Sequence, residues 1–172
     1  ASTEAERFLG ENVAFTRRMA ALGFPTHHMA TAAAPYDLIA DYFRGATGMM
    51  KDLFRHKDKL KLVLDKAAVF LARMTIRNAR AADHPIVFIP THWAPDAFMS
   101  PKQFEEFWWP SFRRMLLELI DAGLVPMPMW ESDCTKRLEV IKDIPPGTCI
   151  YWFERTDMVR AFEVLGDRVA LR

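Results

Sequence analysis

The apolar positions of this chain change period as it proceeds, and each change marks a new element. Between residues 3 and 22, Phe8, Val13, Phe15, Met19 and Leu22 supply much of a helical stripe that Gly23 ends. Residues 24–31 carry a weaker strand pattern holding His27 and His28. Pro35 opens a helix through Tyr36, Leu38, Ile39 and Phe43 that stops at Gly45, and a short helix follows with Met49, Met50, Leu53 and Phe54. The longest helical pattern covers 58–82, with Leu60, Val63, Leu64, Ala67, Leu71 and Met74 at three- and four-residue steps, until His84-Pro85 breaks it. Ile86 to Ile89 is an unbroken run of β-favouring residues, the pattern of a strand covered on both faces.

After a polar and aromatic loop at 90–96, Ser100 precedes Pro101, with Gln103 three residues after the serine. That is a capping box with proline at the first helical position. The helix it opens runs to Ala122, with Phe104, Phe107, Trp108, Phe112, Met115, Leu116 and Leu119 inward and Pro110 kinking or splitting it. Residues 124–130 read as a strand, although Pro126 and Pro128 each remove a ladder donor. An exit loop at 131–133 leads to a short helix covering Leu138 and Ile141. A further strand spans 148–153, Thr156 caps a helix through Met158, Val159, Phe162 and Leu165, and a fifth strand starts at Arg168.

Five strands alternating with helices predict an α/β fold with a parallel sheet. A complete TIM (β/α)8 barrel takes about 250 residues, so residues 1–172 hold about five of its βα units. A doubly wound open sheet fits the periodicity almost as well, but no Gly-x-Gly-x-x-Gly or Walker-type loop follows any strand. Charge narrows the partners: 23 lysines and arginines against 22 aspartates and glutamates give a net charge of +1, no footprint for nucleic acid or an anionic membrane. No apolar run approaches the ~20 residues of a membrane helix. Two cysteines, Cys134 and Cys149, form neither a disulfide framework nor a paired metal motif. They read as ordinary buried thiols in a cytoplasmic protein.

The candidate chemistry lies at the strand exits, where parallel α/β enzymes keep it. Thr91, His92 and Asp96 follow one strand, Glu131 and Asp133 the next, and Glu154 and Arg155 the one after. Glu131 and Asp133 can bind a cation, act as acid and base, or cap the following helix, the last suiting Asp133; Asp157 suits a helix N-terminus. His27 and His28 adjoin on a predicted strand, so one faces the barrel interior and the other faces out. Trp93, Trp108, Trp109 and Trp130 can line an apolar pocket for a planar ligand, with Trp108 and Trp109 better suited to helix–sheet packing.

The runs APYDLIADYFRG, THWAPDAFMSPKQFEEF, LVPMPMWESDCTKRLE and ERTDMVRAFEVLGDRVAL, in this order, resemble the uroporphyrinogen decarboxylase superfamily. The resemblance implies a (β/α)8 barrel whose fourth to eighth strands are present here, with the first three units and the end of the barrel lying outside the chain. It also implies an enzyme, either a tetrapyrrole decarboxylase or a cobalamin-linked methyltransferase. Thr91-His92 occupies the place of the decarboxylase's serine-histidine pair. Asp41 falls where the decarboxylase has its substrate-contacting tyrosine, with Tyr42 one residue away. The zinc-binding methyltransferases have His-x-Cys where Met129 and Glu131 stand here, and methionine is a poor zinc ligand.

The expectation is therefore a divergent member acting in corrinoid-linked methyl transfer, with Glu131, His92 and Thr91 catalytic. Asp41, Tyr42, His28, Trp93, Asp96, Asp133, Glu154 and Arg155 are expected to meet substrate. The alternatives are cofactor-free decarboxylation of a porphyrinogen and a tetrapyrrole-binding module without turnover. No cofactor or metal site is assigned beyond a corrinoid as substrate or as the cofactor of a partner protein. Five strands leave unpaired edges and an uncovered apolar inner face, so a homodimer or a missing barrel segment is expected to cover them.

Overall fold

The computed structural model describes residues 2–24 and 26–172. Five strands form one sheet: β1 (Ala30–Thr31), β2 (Ile86–Thr91), β3 (Val125–Trp130), β4 (Ile150–Phe153) and β5 (Ala170–Leu171). Their spatial order is their chain order and every pairing is parallel. A doubly wound sheet would reverse direction part-way; this one advances steadily, as an arc of a barrel does. Among the described residues eight α-helices accompany it: α1 (Ser2–Ala21), α2 (Pro35–Ile39), α3 (Gly45–Arg55), α4 (Lys57–Ala82), α5 (Pro101–Gln103), α6 (Trp109–Asp121), α7 (Leu138–Ile141) and α8 (Met158–Leu165). No helix among the described residues is long and apolar enough to cross a membrane.

Alternation along the strands divides the sheet into two faces. Val87, Ile89, Trp130, Tyr151 and Phe153 point to the helices and are buried with Leu64, Leu71, Phe112, Met115 and Leu119. Trp130 is the hub of this layer, its ring 5.7 Å from Trp108, 6.0 Å from Phe112 and 5.3 Å from Tyr151. Phe88, Met129 and Trp152 face the other way and are only partly covered; the Phe88 and Trp152 rings lie 5.9 Å apart across the concave side.

The prolines of β3 have a physical place. Val125 donates to the Pro85 carbonyl on the β2 side, so alternation turns positions 126 and 128 toward β4. There the ladder is confined to Met129 and Trp130, opposite Trp152 and Phe153, and the missing donors coincide with the unpaired stretch.

Several expectations change. The first helix forms, but Phe8, Phe15 and Leu22 are 60–68% exposed, so its stripe is not buried against this chain. The strand expected over 24–31 shrinks to Ala30–Thr31, and residue 25 lies outside the described residues. The helix opened by Pro35 stops at Gly45 as read, but its last stretch widens into a π-turn at Ala40–Arg44, and Gly45, with φ 69°, closes that turn onto the Ala40 carbonyl and redirects the chain into α3. A second π-turn, Phe104–Trp108, precedes Pro110, where the wider turn accommodates a residue with no N–H for the ladder. The capping box forms as read, with Gln103 N–H donating to Ser100 Oγ at 3.2 Å and Ser100 N–H to Gln103 Oε1 at 3.0 Å. The cap of α8 is Asp157, which accepts from the N–H groups of Val159 and Arg160, and not Thr156.

Candidate functional site

β2 runs two residues further than its apolar stretch, through Pro90 and Thr91, in register with Met129 and Trp130. Thr91 thereby shares the helix-facing side with Val87 and Ile89. It is fully buried, and its hydroxyl donates to the Met129 carbonyl at 2.9 Å. The expected catalytic place for Thr91 is corrected: its hydroxyl ties two strands together and does not reach the mouth.

His92, the next residue, does reach it. Its Nδ1 lies 3.1 Å from Asp41 Oδ2 and its Nε2 lies 3.5 Å from Glu131 Oε1, with the imidazole half-exposed and the two carboxyls about one-third exposed. Burial alone would push the His92 pKa down. The hydrogen bond with Asp41 and the charges of Glu131, Asp37 and Asp41 outweigh it, so it stands above its ordinary value. Glu131 is also raised, chiefly by burial and further by Glu154 and Asp41, against the pull of His92. An imidazole and a carboxyl in contact at a strand exit, both shifted upward, make a pair between which a proton can pass.

Trp93 completes this corner, its indole Nε1 donating to Asp41 Oδ1 at 2.8 Å and its ring 4.9 Å from Phe98. Glu154 stands behind Glu131 and accepts from the Ser132 N–H at 2.6 Å. Ser132 holds a left-handed φ of 55°, a conformation costly for a residue with a Cβ. The rim is laced from exit to exit. Asp96 N–H donates to Asp133 O, Arg155 N–H to Ser132 O, Cys134 N–H to Thr156 Oγ1 and Asp157 N–H to Thr135 Oγ1.

Other expected site residues lie elsewhere. Asp96 is almost buried, accepts from the Lys136 N–H at 2.9 Å, and faces the Arg137 guanidinium. Arg137 Nε sits 3.2 Å from Asp96 Oδ1 but aims its hydrogen at the Ala94 carbonyl, so the pair is coulombic, while Nη2 donates to Met99 O at 2.6 Å. Burial lowers the Arg137 pKa. Asp133 accepts from the N–H and hydroxyl of Thr135, which lowers its pKa; it shapes the turn, while the N-cap of the following 3-10 turn is Cys134, which makes no side-chain cap. Tyr42 points to solvent, 75% exposed. Arg155 is exposed on the rim. Trp130 lies on the helix side of the sheet and lines no pocket at the mouth; Trp108 and Trp109 are buried in packing.

His28 precedes β1, whereas His92 follows β2. Because residues 27 and 28 come before the strand, alternation does not separate them. Their Nδ1 atoms are 2.7 Å apart, with His28 beside Phe88 and His27 edge-on to Trp152. His28 therefore packs on the concave face and makes no contact with the His92 cluster among the hydrogen bonds and ion pairs of the described residues.

The residue that the sequence reading missed is Asp37 on α2. It is 1% exposed, and it accepts from the backbone N–H groups of His92 at 2.5 Å and Trp93 at 3.4 Å and from the Trp108 indole at 2.9 Å. Burial pushes its carboxyl up to about 7 against the pull of those three donors. Its signal was its spacing, one helical turn before Asp41 in an otherwise apolar PYDLI.

The methyltransferase zinc site does not fit here. The two nitrogens of His92 address different carboxyls, and among the described residues no group of three or more His, Cys, Asp or Glu side chains could hold a metal ion.

With this geometry in hand, three comparisons with known proteins place the chain. No curated protein matches it. A solved methyltransferase from Methanosarcina mazei is similar in fold, with a TM-score of 0.64 at 16% identity over 82% of this chain; the chain spans 41% of that protein's length. The family model for uroporphyrinogen decarboxylase (URO-D) matches residues 5–172. The chain belongs to the uroporphyrinogen decarboxylase family.

Proposed function

We propose that this chain acts in methyl-group transfer involving a corrinoid, with His92 and Glu131 at the reacting centre and Asp41 and Trp93 beside them. The observation that carries this reading is the charge of the mouth. Asp41 and Glu131 gather on one imidazole with Glu154 behind them, while the loops 92–100, 131–134 and 154–157 supply one lysine or arginine, Arg155, and the β5 exit adds Arg172, whose guanidinium lies over Trp152. A porphyrinogen polycarboxylate needs several cationic clamps, and clustered carboxylates repel it. In methyl transfer to a thiol, the sulfur attacks the methyl group carried by a corrinoid substrate, the electron pair of the broken bond stays with cobalt, and the thiol proton leaves to a base. The His92–Glu131 pair suits that last task, having a proton acceptor of tuned affinity within reach of the mouth.

Decarboxylation of a porphyrinogen is the second reading, favoured by the family match itself. Incubation with methylcobalamin and a thiol, and separately with uroporphyrinogen, divides the two. Methylated thiol is expected from the first; product from the uroporphyrinogen arm alone would overturn methyl transfer.

A further inference from the structure

His92 and Trp93 are held at four points by two aspartates one helical turn apart. Asp37 takes both backbone N–H groups, and Asp41 takes the imidazole Nδ1 and the indole Nε1. The two π-turns flank this clamp: Asp41 lies within the first, and the second ends at Trp108, whose indole occupies the remaining oxygen of Asp37. A fully buried carboxyl without a lysine or arginine partner is costly. This one is set where it fixes the backbone from which the reactive imidazole projects, and it does not itself open to the mouth.

We propose that Asp37 is a positioning residue: by clamping the His92–Trp93 backbone it fixes the imidazole between Asp41 and Glu131. The assignment takes its functional meaning from the reading of His92 as a group at the reacting centre, but its geometry stands apart from any activity. The titratable groups facing Asp37 are Tyr36 on its own helix and His92 across from it, and those facing His92 are Asp37, Asp41 and Glu131.

The test is NMR of the 15N-labelled protein, followed through pH. In the unaltered protein the amide protons of His92 and Trp93 and the indole proton of Trp108 are expected to shift in one step, and the His92 imidazole signals to record that same step. Asp37→Asn must set an N–H against either the indole or the two amides. It is expected to move the Trp93 indole resonance and to return the His92 titration toward its ordinary value. Trp108→Phe added to Asp37→Asn removes the opposing donor and is expected to restore the Trp93 resonance. A folded Asp37→Asn protein with the parent's His92 titration and Trp93 resonance would overturn the proposal. So would imidazole signals without an inflection where the amides move, a result that decides the matter even if the variant does not fold. A failed methyl-transfer assay with this coupling intact would refute the function and leave the clamp standing.

Discussion

Two charged clusters sit at neighbouring strand exits and use similar groups to opposite ends. Around Arg137 the surroundings are closed: the side chain is 1% exposed, its partner Asp96 10%, and Nε and Nη2 donate to carbonyls of the 94–99 loop, while Nη1 and Asp96 Oδ1 are buried without a hydrogen-bond partner. Around His92 everything is open at one end, with half the imidazole in solvent and two carboxyls competing for it. A buried pair held by fixed carbonyls contributes order, because separating it strands a charge. A half-exposed trio with two acids around one base keeps its charged groups open to solvent and to a ligand, which is what chemistry requires. Residue type at a strand exit does not distinguish the two; burial and partner count do.

The sharpest way to break this contrast is Arg137→Ala. It leaves Asp96 without its cation and three carbonyls without donors, and it should cost about 3–5 kcal/mol in chemical denaturation, with the rim disordered. A loss below ~1 kcal/mol would mean the closed cluster is ornamental. Changes in the open cluster should do the reverse. Glu131→Gln or His92→Gln is expected to lower methyl transfer by roughly 10²–10⁴-fold while shifting stability by no more than about 1 kcal/mol. For two groups acting as one proton-passing unit, the double variant should fall little below the worse single one. Independent, multiplying losses would sink the pair.

A pH series sharpens the comparison further. Asp37 has an ordinary carboxylate value of 3.8 when unfolded and about 7 when folded. Its contribution to stability is full below pH ~4 and lost as pH rises through about 7, at roughly 1.4 kcal/mol per pKa unit. His92 is likewise raised when folded, so its contribution is also lost as pH rises through that value. Both point one way: the melting temperature should be higher at pH 6 than at pH 8, and Asp37→Asn should flatten the difference. A protein more stable at pH 8 would contradict both. The smallest effect concerns Ser132. Glycine there relieves the left-handed backbone, and the N–H and C=O that bond to Glu154 and Arg155 remain. A gain of up to about 1 kcal/mol is expected, and a net loss would show that the serine side chain matters to the rim.

The sequence revealed much of this arrangement because it was written locally. The capping box at Ser100–Gln103, the long pattern of α4 and the apolar runs of β2 and β4 each announce an element within a few residues. Strand-end position then singles out His92 and Glu131. What stayed hidden depended on register and long-range burial. Thr91 was misplaced because two more residues join β2, and each added residue turns the next side chain to the other face. His27 and His28 were separated on paper by an alternation that begins only at Ala30. Asp37 was passed over, since nothing nearby in sequence says that Trp108, 71 positions on, will bond to it. Arg137 drew no reading for the same reason.

The π-turn at Ala40–Arg44 has a consequence for inheritance. A helix with one extra residue is easily shortened: removing any one of the five would restore the regular ladder and rotate one side against the other by about 100°. Folding alone would reward that deletion. Yet it would carry Asp41 away from His92 and Trp93 or swing α3 off its seat, so a change that improves the helix would dismantle the mouth. This stretch should therefore accept new residue types at Tyr42 and Phe43, both facing solvent, far more readily than it accepts a new length.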